Sequence, residues 1–254
     1  MVILKSRNEI ETMREAGRVV ARTLAAVRDA VRPGVSLREL DALAEDTIRA
    51  AGATPSFLGY HPRFASSPFP GTLCLSPNDV IVHGIPDRYR LREGDILSID
   101  CGAIVDGYHG DAALTVPVAE VDEEGRRLLE TTERGLWAGI EQARPGNRLS
   151  DISHAVGQVA HAAGYGIVPD FGGHGIGRVM HEDPSVQNDG RPGRGLRLRE
   201  GLVLAIEPMF NQGGGAYGIK PDGWALFTRD GSRSAHFEHT VAITADGPRV
   251  LTLL

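Results

Sequence analysis

Cysteine is nearly absent: Cys74 and Cys101 are the only two in 254 residues, and neither lies in a CxxC pair or a Cys/His cluster. This excludes a disulfide framework and a thiolate zinc site, and points to a reducing, cytosolic setting. No run of Lys or Arg longer than the pair Arg126-Arg127 occurs, and the formal charge of -6 with a pI near 5.8 leaves no electrostatic footprint for nucleic acid. Nor does any stretch approach the ~20 apolar residues of a membrane span. The opening MVILKSRNEIETM lacks the long apolar segment of an export signal, so a cytoplasmic protein, neither exported nor anchored, is expected. What is present is 41% hydrophobic content, enough in a chain of this length to bury a large core.

That content is organised as an internal repeat. LREGDILSIDCG at 91–102 is echoed by LREGLVLAIEP at 198–208, each copy leading into a carboxylate, Asp100 and Glu207. RPGVSLRELDALAEDTIRAAG at 32–52 aligns without a gap to RPGNRLSDISHAVGQVAHAAG at 144–164. In the first copy Ser36 and Glu39 form a capping-box pattern, and Leu37, Leu40, Leu43, Ala44 and Ile48 give a helical stripe. Each copy ends on glycine, a helix stop. Longer helical patterns precede both, over 7–31 and 123–143, the first opened by Ser6 and Glu9. The chain is therefore expected to be one α+β domain of two pseudo-symmetric halves, about 1–121 and 122–254. Its antiparallel-rich sheet would be covered by helices. A pseudo-twofold axis would bring Asp100 and Glu207 together at the middle.

ILSIDCGAIV is followed by the turn signal Asp106-Gly107 and then YHGDAALTV. A two-residue turn pairs Gly102 with Asp111, which makes Asp100 and Asp111 diagonal neighbours on one face of the hairpin. Leu97, Ile99, Ala103, Leu114 and Val116 take the other face, and Cys101 is expected in the core with them. By the repeat, Glu238 in SAHFEHTVAIT is the counterpart of Asp111. The connection NQGGGAYGIKPDG runs between it and Glu207. Four carboxylates crowded together repel strongly, and divalent cations are the simplest compensation. His174, flanked by glycines in GGHGIG, offers a nitrogen ligand, while His83 in IVHGIP and His181 in VMHEDP sit in similar settings.

These motifs, DVIVHGIP, SIDCGAIVDGYHGDAALT, GGHGIG, MHEDPSV, AIEPMF and HFEHTV, resemble in order and kind the type I methionine aminopeptidases, metallopeptidases of the pita-bread fold. The resemblance runs from the first helix to the last strand. It implies two divalent metals (Co, Mn, Fe or Zn) held by Asp100, Asp111, His174, Glu207 and Glu238, with Asp111 and Glu238 bridging. It implies that Glu207 moves protons, that His181 stabilises an oxyanion, and that His83 contacts the scissile nitrogen. Tyr60, His61, Cys74 and Trp224 are implied around the methionine pocket. The segment PRFASSPFPGTL before Cys74 is longer than in common bacterial relatives, and Phe57 stands where a cysteine is often found. The implied reaction is removal of the initiator methionine from nascent chains when the second residue is small. A monomer is expected, with transient contact to the ribosome.

Two other readings compete with this one. A proline-specific peptidase of the same fold would use the same ligands, but such relatives usually carry a large amino-terminal domain, and only one helical region precedes Tyr60. A non-catalytic binding module would have lost ligands, and all five are present. His109, His154, His161, His236 and His239 receive no specific assignment.

Overall fold

The computed structural model describes residues 2–62 and 65–254. Arg63 and Phe64, within the longer segment before Cys74, lie outside the described residues. The chain opens with helices α1 (Arg7–Ala30) and α2 (Leu37–Ala50), then strands β1 (Thr54–Pro55), β2 (Leu73–Pro77), β3 (Val80–Val82), β4 (Ile96–Val105) and β5 (Tyr108–Pro117). Helices α3 (Glu123–Gln142) and α4 (Leu149–Ala163) follow, with β6 (Gly166–Ile167), β7 (Gly172–Gly175), β8 (Glu182–Gln187), β9 (Val203–Ile206) and β10 (Met209–Asn211). The chain closes through β11 (Tyr217–Ile219), β12 (Leu226–Thr228), β13 (Ser234–His236), β14 (Glu238–Thr244) and β15 (Gly247–Val250).

Local chemistry sets these boundaries. Ser6 with Glu9, and Ser36 with Glu39, make the expected capping boxes, each serine accepting from the glutamate N–H while the glutamate accepts from the serine N–H. Asp122 accepts from Gly125 N at 2.7 Å to start α3, and α4 stops at Gly164, φ 76°. The glycine-rich connection after Glu207 is more ordered than its composition suggests. It supplies β11 and β12, which with β3 form a three-stranded sheet, while β6, β10 and β13 form another.

The main sheet has nine strands, all paired antiparallel, with the path β1-β4-β5-β14-β9-β7-β8; β2 also pairs β4, and β15 pairs β14. The hairpin turns at Asp106 (φ 49°) and Gly107 (φ 78°), so Val105 faces Tyr108 and Gly102 faces Asp111, the register the sequence predicts. One face of the sheet is core. Leu97, Ile99, Cys101 and Ala103 pack with Val19, Val20, Leu24, Leu40 and Ile48 from α1 and α2. Leu204, Ile206, Val241 and Ile243 pack with Leu128, Leu136, Ile152 and Val156 from α3 and α4. At roughly 1.5–3 kcal/mol for each fully buried aliphatic side chain, this face dominates the stabilisation and fixes which residues point the other way. At Gly110 a Cβ would stand 2.7 Å from Gly17 N, so only glycine lets α1 lie this close to β5.

The seam of the main sheet is β5 against β14, where Ala113 faces Glu238 and Ala112 faces His239. Thr240 on β14 fastens it, and Thr115 ties β5 to the preceding strand β13. Thr240 Oγ1 accepts from Asp111 N at 3.0 Å and donates to Asp111 O at 2.7 Å. Thr115 Oγ1 accepts from His236 N at 2.9 Å and donates to His236 O at 2.8 Å. The single hydroxyl proton of Thr115 is thereby used, which makes Ser98 the donor in its 2.8 Å bond to Thr115.

Candidate metal centre

The face opposite the helices carries the carboxylates. Asp100 projects from the middle of β4 and Asp111 diagonally across from it on β5; Glu238 begins β14, and Glu207 follows β9. Asp100, Asp111 and Glu238 are buried, Glu207 less so. His174 reaches them from β7, where its Nδ1 lies 2.8 Å from the carbonyl of Gly175. Donation from Nδ1 to that carbonyl leaves the Nε2 lone pair aimed at the acids, 3.8 Å from Asp111 Oδ2 and 3.7 Å from Glu207 Oε1. The flanking glycines have a steric cause: a Cβ at Gly173 would stand 2.1 Å from Ala205 O, and one at Gly175 2.2 Å from Asp183 O. His174 is thus carried by a strand too closely packed for ordinary side chains.

Burial and mutual repulsion act together here. Burial raises the Asp100 carboxyl to about 7, with Glu207 adding to the effect and His236 opposing it. Burial, then the charges of neighbouring acids, raises Asp111 and Glu238 well above the usual carboxylate range. Asp100 Oδ1, Asp111 Oδ1 and Glu238 Oε1 are buried with no hydrogen-bond partner. Unsatisfied buried oxygens of this kind are costly, and hard oxygen donors converging with an imidazole suit a divalent cation. Asp111, His174 and Glu238 each bring a donor atom within 4.8 Å of the others, as do Glu207, His236 and Glu238. The residues present fit the cation that the sequence predicts.

A cavity of about 440 Å³ opens beside the acids. Asp100, Asp111, His174, Glu207 and Glu238 line it together with an apolar cluster of Phe57, Phe69, Cys74, Met180 and Trp224, in which Cys74 faces Asp100 across β2 and β4. Tyr60, His83 and His181 also line it. His61 does not: it is exposed, and its Nε2 lies 3.2 Å from the Ala65 carbonyl, so the structure does not bring it into the pocket with Tyr60. Cys101 lies in the core, as expected.

The two histidines flanking the acids stand at equivalent turns. Ser76 faces Ser98 across β2 and β4, and His174 faces Ala205 across β7 and β9; the LREG repeat aligns Ser98 with Ala205. His83 and His181 each follow seven residues after these matched positions. His83 adopts φ 60°, an uncommon conformation for a residue with a Cβ, and its ring meets Trp224 edge-on. Burial lowers the His83 imidazole to about 4, and burial followed by the neighbouring His174 lowers His181 to about 3. His181 Nδ1 lies 2.7 Å from the Tyr60 hydroxyl, and its ring centroid 4.3 Å from that of His174. Its neighbour Glu182 is anchored by a buried ion pair, Lys5 Nζ to Glu182 Oε2 at 2.5 Å, so the segment before α1 braces the loop carrying His181.

The sequence pattern gave no role to His236, yet it is buried beside the acids, with Nε2 3.5 Å from Glu207 Oε2 and 3.7 Å from Glu238 Oε2. The available signal was its spacing of two from Glu238 in HFEHTV, which puts both on one side of an extended chain.

Residues 11–245 match the model of metallopeptidase family M24. The chain belongs to that family. It is 50% identical to the methionine aminopeptidase of Clostridium perfringens over 256 aligned residues that cover all of both chains. The solved structure of methionine aminopeptidase from Thermotoga maritima superposes with a TM-score of 0.96 at 40% identity, again covering all of both chains. Prolidase from Pyrococcus furiosus shares the fold at a TM-score of 0.77 and 24% identity, this chain spanning 66% of its length. The pita-bread fold of the M24 proteins and the use of divalent metal follow from membership.

Proposed function

We infer that this protein is a methionine aminopeptidase, a hydrolase that removes the initiator methionine from proteins and peptides. The observation that carries the reading is a cavity lined both by a carboxylate-imidazole cluster and by an apolar wall that includes Cys74 and Met180. Full-length identity to methionine aminopeptidases supports it. An unbranched thioether suits such a wall, where soft sulfur and aromatic edges meet it.

Asp100, Asp111, His174, Glu207 and Glu238 would hold two divalent ions. Manganese, iron, cobalt and zinc all accept this donor set. The chemistry supplied by such a pair is activation of water near neutral pH and polarisation of the scissile carbonyl. Glu207, more open to solvent than the other acids, takes the proton of the attacking water and passes it to the departing amine. If the Tyr60 hydroxyl donates to His181 Nδ1, the neutral ring keeps its proton on Nε2. His181 is then a ready donor to the carbonyl oxygen as charge develops there. His83, at the matching turn, contacts the nitrogen of the scissile bond. Phe57, Cys74, Met180 and Trp224 bind the methionine side chain, with Tyr60 at the rim. The carboxylate cluster receives the free α-amine, which restricts cleavage to chain ends. Action on nascent chains in the cytoplasm, by a monomer whose residues 1–121 and 122–254 form matched parts of one catalytic domain, belongs to the same proposal.

The deciding experiment compares Met-Ala-Ser, Leu-Ala-Ser and Ala-Pro peptides with metal-reconstituted protein. Release of methionine is expected to exceed release of leucine at least tenfold, with no cleavage before proline. Preference for Ala-Pro would replace this reading with a proline-specific one. A related expectation concerns the second residue, which must fit between the acids and Tyr60. Met-Ala, Met-Gly and Met-Ser peptides should be cut far faster than Met-Lys or Met-Phe, and similar kcat/KM values for Met-Ala and Met-Lys would count against this arrangement.

A further inference from the structure

His236 has a buried Nε2 that makes no hydrogen bond of ordinary length, although it points between two of the acids. Its place is fixed from behind, because the backbone N–H and carbonyl of His236 are both taken by the Thr115 hydroxyl, which Ser98 holds in turn. The oxygens of Glu207 are divided between two imidazoles: Oε1 lies 3.7 Å from His174 Nε2, and Oε2 lies 3.5 Å from His236 Nε2. Glu238 is divided too, with Oε2 3.7 Å from His236 Nε2 and Oε1 buried without a partner. A proton on His236 Nε2 would lie between one oxygen of each ionised acid and be attracted to both.

We propose that His236 is a positioning residue for the metal ligands, its Nε2–H shared between Glu207 Oε2 and Glu238 Oε2 so that each acid presents its remaining oxygen to the cation. This rests on the reading of Glu207 and Glu238 as ligands. A hydrogen bond from behind fixes the rotamer of a ligating carboxylate, and a single donor spanning two acids also offsets their repulsion before any cation arrives. Loss of an outer partner of this kind typically weakens metal binding by about 10–100-fold.

The test is calorimetric titration of manganese(II) into metal-free wild type, His236→Ala and His236→Gln. Thermal unfolding of each metal-free protein would verify folding. His236→Ala is expected to bind about 10–100-fold more weakly. His236→Gln keeps an N–H donor at a similar reach and is expected to bind within a few-fold of wild type, with the visible absorption of its cobalt(II) form unchanged. Should the alanine variant fail to fold, His236→Leu fills the buried space without a donor and is expected to show the same weakening. A donor-free variant that binds as tightly as wild type would overturn the proposal. So would a glutamine variant as weak as the donor-free one, and a changed cobalt(II) spectrum in that case would make His236 a ligand. Wild type that binds no manganese(II) would instead overturn the ligand assignment on which the proposal stands.

Discussion

Protein stripped of divalent ions by a chelator is expected to lose methionine-releasing activity completely and to regain it on reconstitution. The same treatment is expected to reverse the response of stability to pH. Burial raises Asp100 to about 7 in the metal-free fold against an ordinary value of 3.8, and burial and then the charges of neighbouring acids raise Asp111 and Glu238 well above the usual carboxylate range. Between the unfolded and folded values the native state binds more protons than the unfolded one, so stability falls as pH rises. Each such group contributes a loss of about 1.4 kcal/mol per pH unit across its window, which for Asp100 runs from roughly 4 to 7. Below that window both states are protonated and the penalty vanishes. Cations replace the protons, so the loss should disappear in reconstituted protein. Melting temperatures of the two forms at pH 5 and pH 8 check this: the metal-free Tm should drop between them while the reconstituted Tm should not. Activity in protein shown metal-free by elemental analysis, or a metal-free Tm that rises towards pH 8, would rule the site out as described.

Glu207→Gln is expected to lower turnover by about 10³-fold even at saturating metal, because the amide keeps the shape of the side chain but cannot accept a proton. It should also weaken metal binding, since a ligand charge is lost. His181→Ala removes a donor and no ligand, so its metal titration should overlay that of wild type while kcat falls by roughly 10²-fold, the usual effect of losing one oxyanion donor. Calorimetric titration with manganese(II) beside kcat for Met-Ala-Ser separates the two roles. If His181→Ala bound metal as poorly as Glu207→Gln, or turned over Met-Ala-Ser at the wild-type rate, His181 would not be an oxyanion donor.

The carboxylate cluster was legible in the sequence because two short-range rules fix it. Asp106-Gly107 sets the hairpin register, and alternation then puts Asp100 and Asp111 on one face. The capping serines and terminal glycines bounded the helices for the same local reason. What the pattern missed depends on contacts between distant segments. His236 became a site residue only because β13 crosses behind Glu207 and is tied to Thr115 on β5. His61 beside Tyr60 could not be placed from its neighbours, since the loop turns its ring towards Ala65. The glycines after Glu207 read as linker, yet β11 and β12 found a partner in β3, more than a hundred residues away in the chain.

The seam between β5 and β14 is narrow, with two facing residue pairs and the hydroxyl of Thr240 bridging it, while Thr115 ties β5 to the adjoining β13. Asp111 and Glu238 stand at that seam, one from each side. A cation held by both would be a clasp between stretches of chain far apart in sequence, and its hold would weaken as soon as the two stretches slid apart. The affinity for metal therefore gauges how well the molecule is assembled. A substitution at a residue that is not itself a ligand, Thr115 or Ser98 for example, would register first as a looser grip on the ion, before the fold itself gave way.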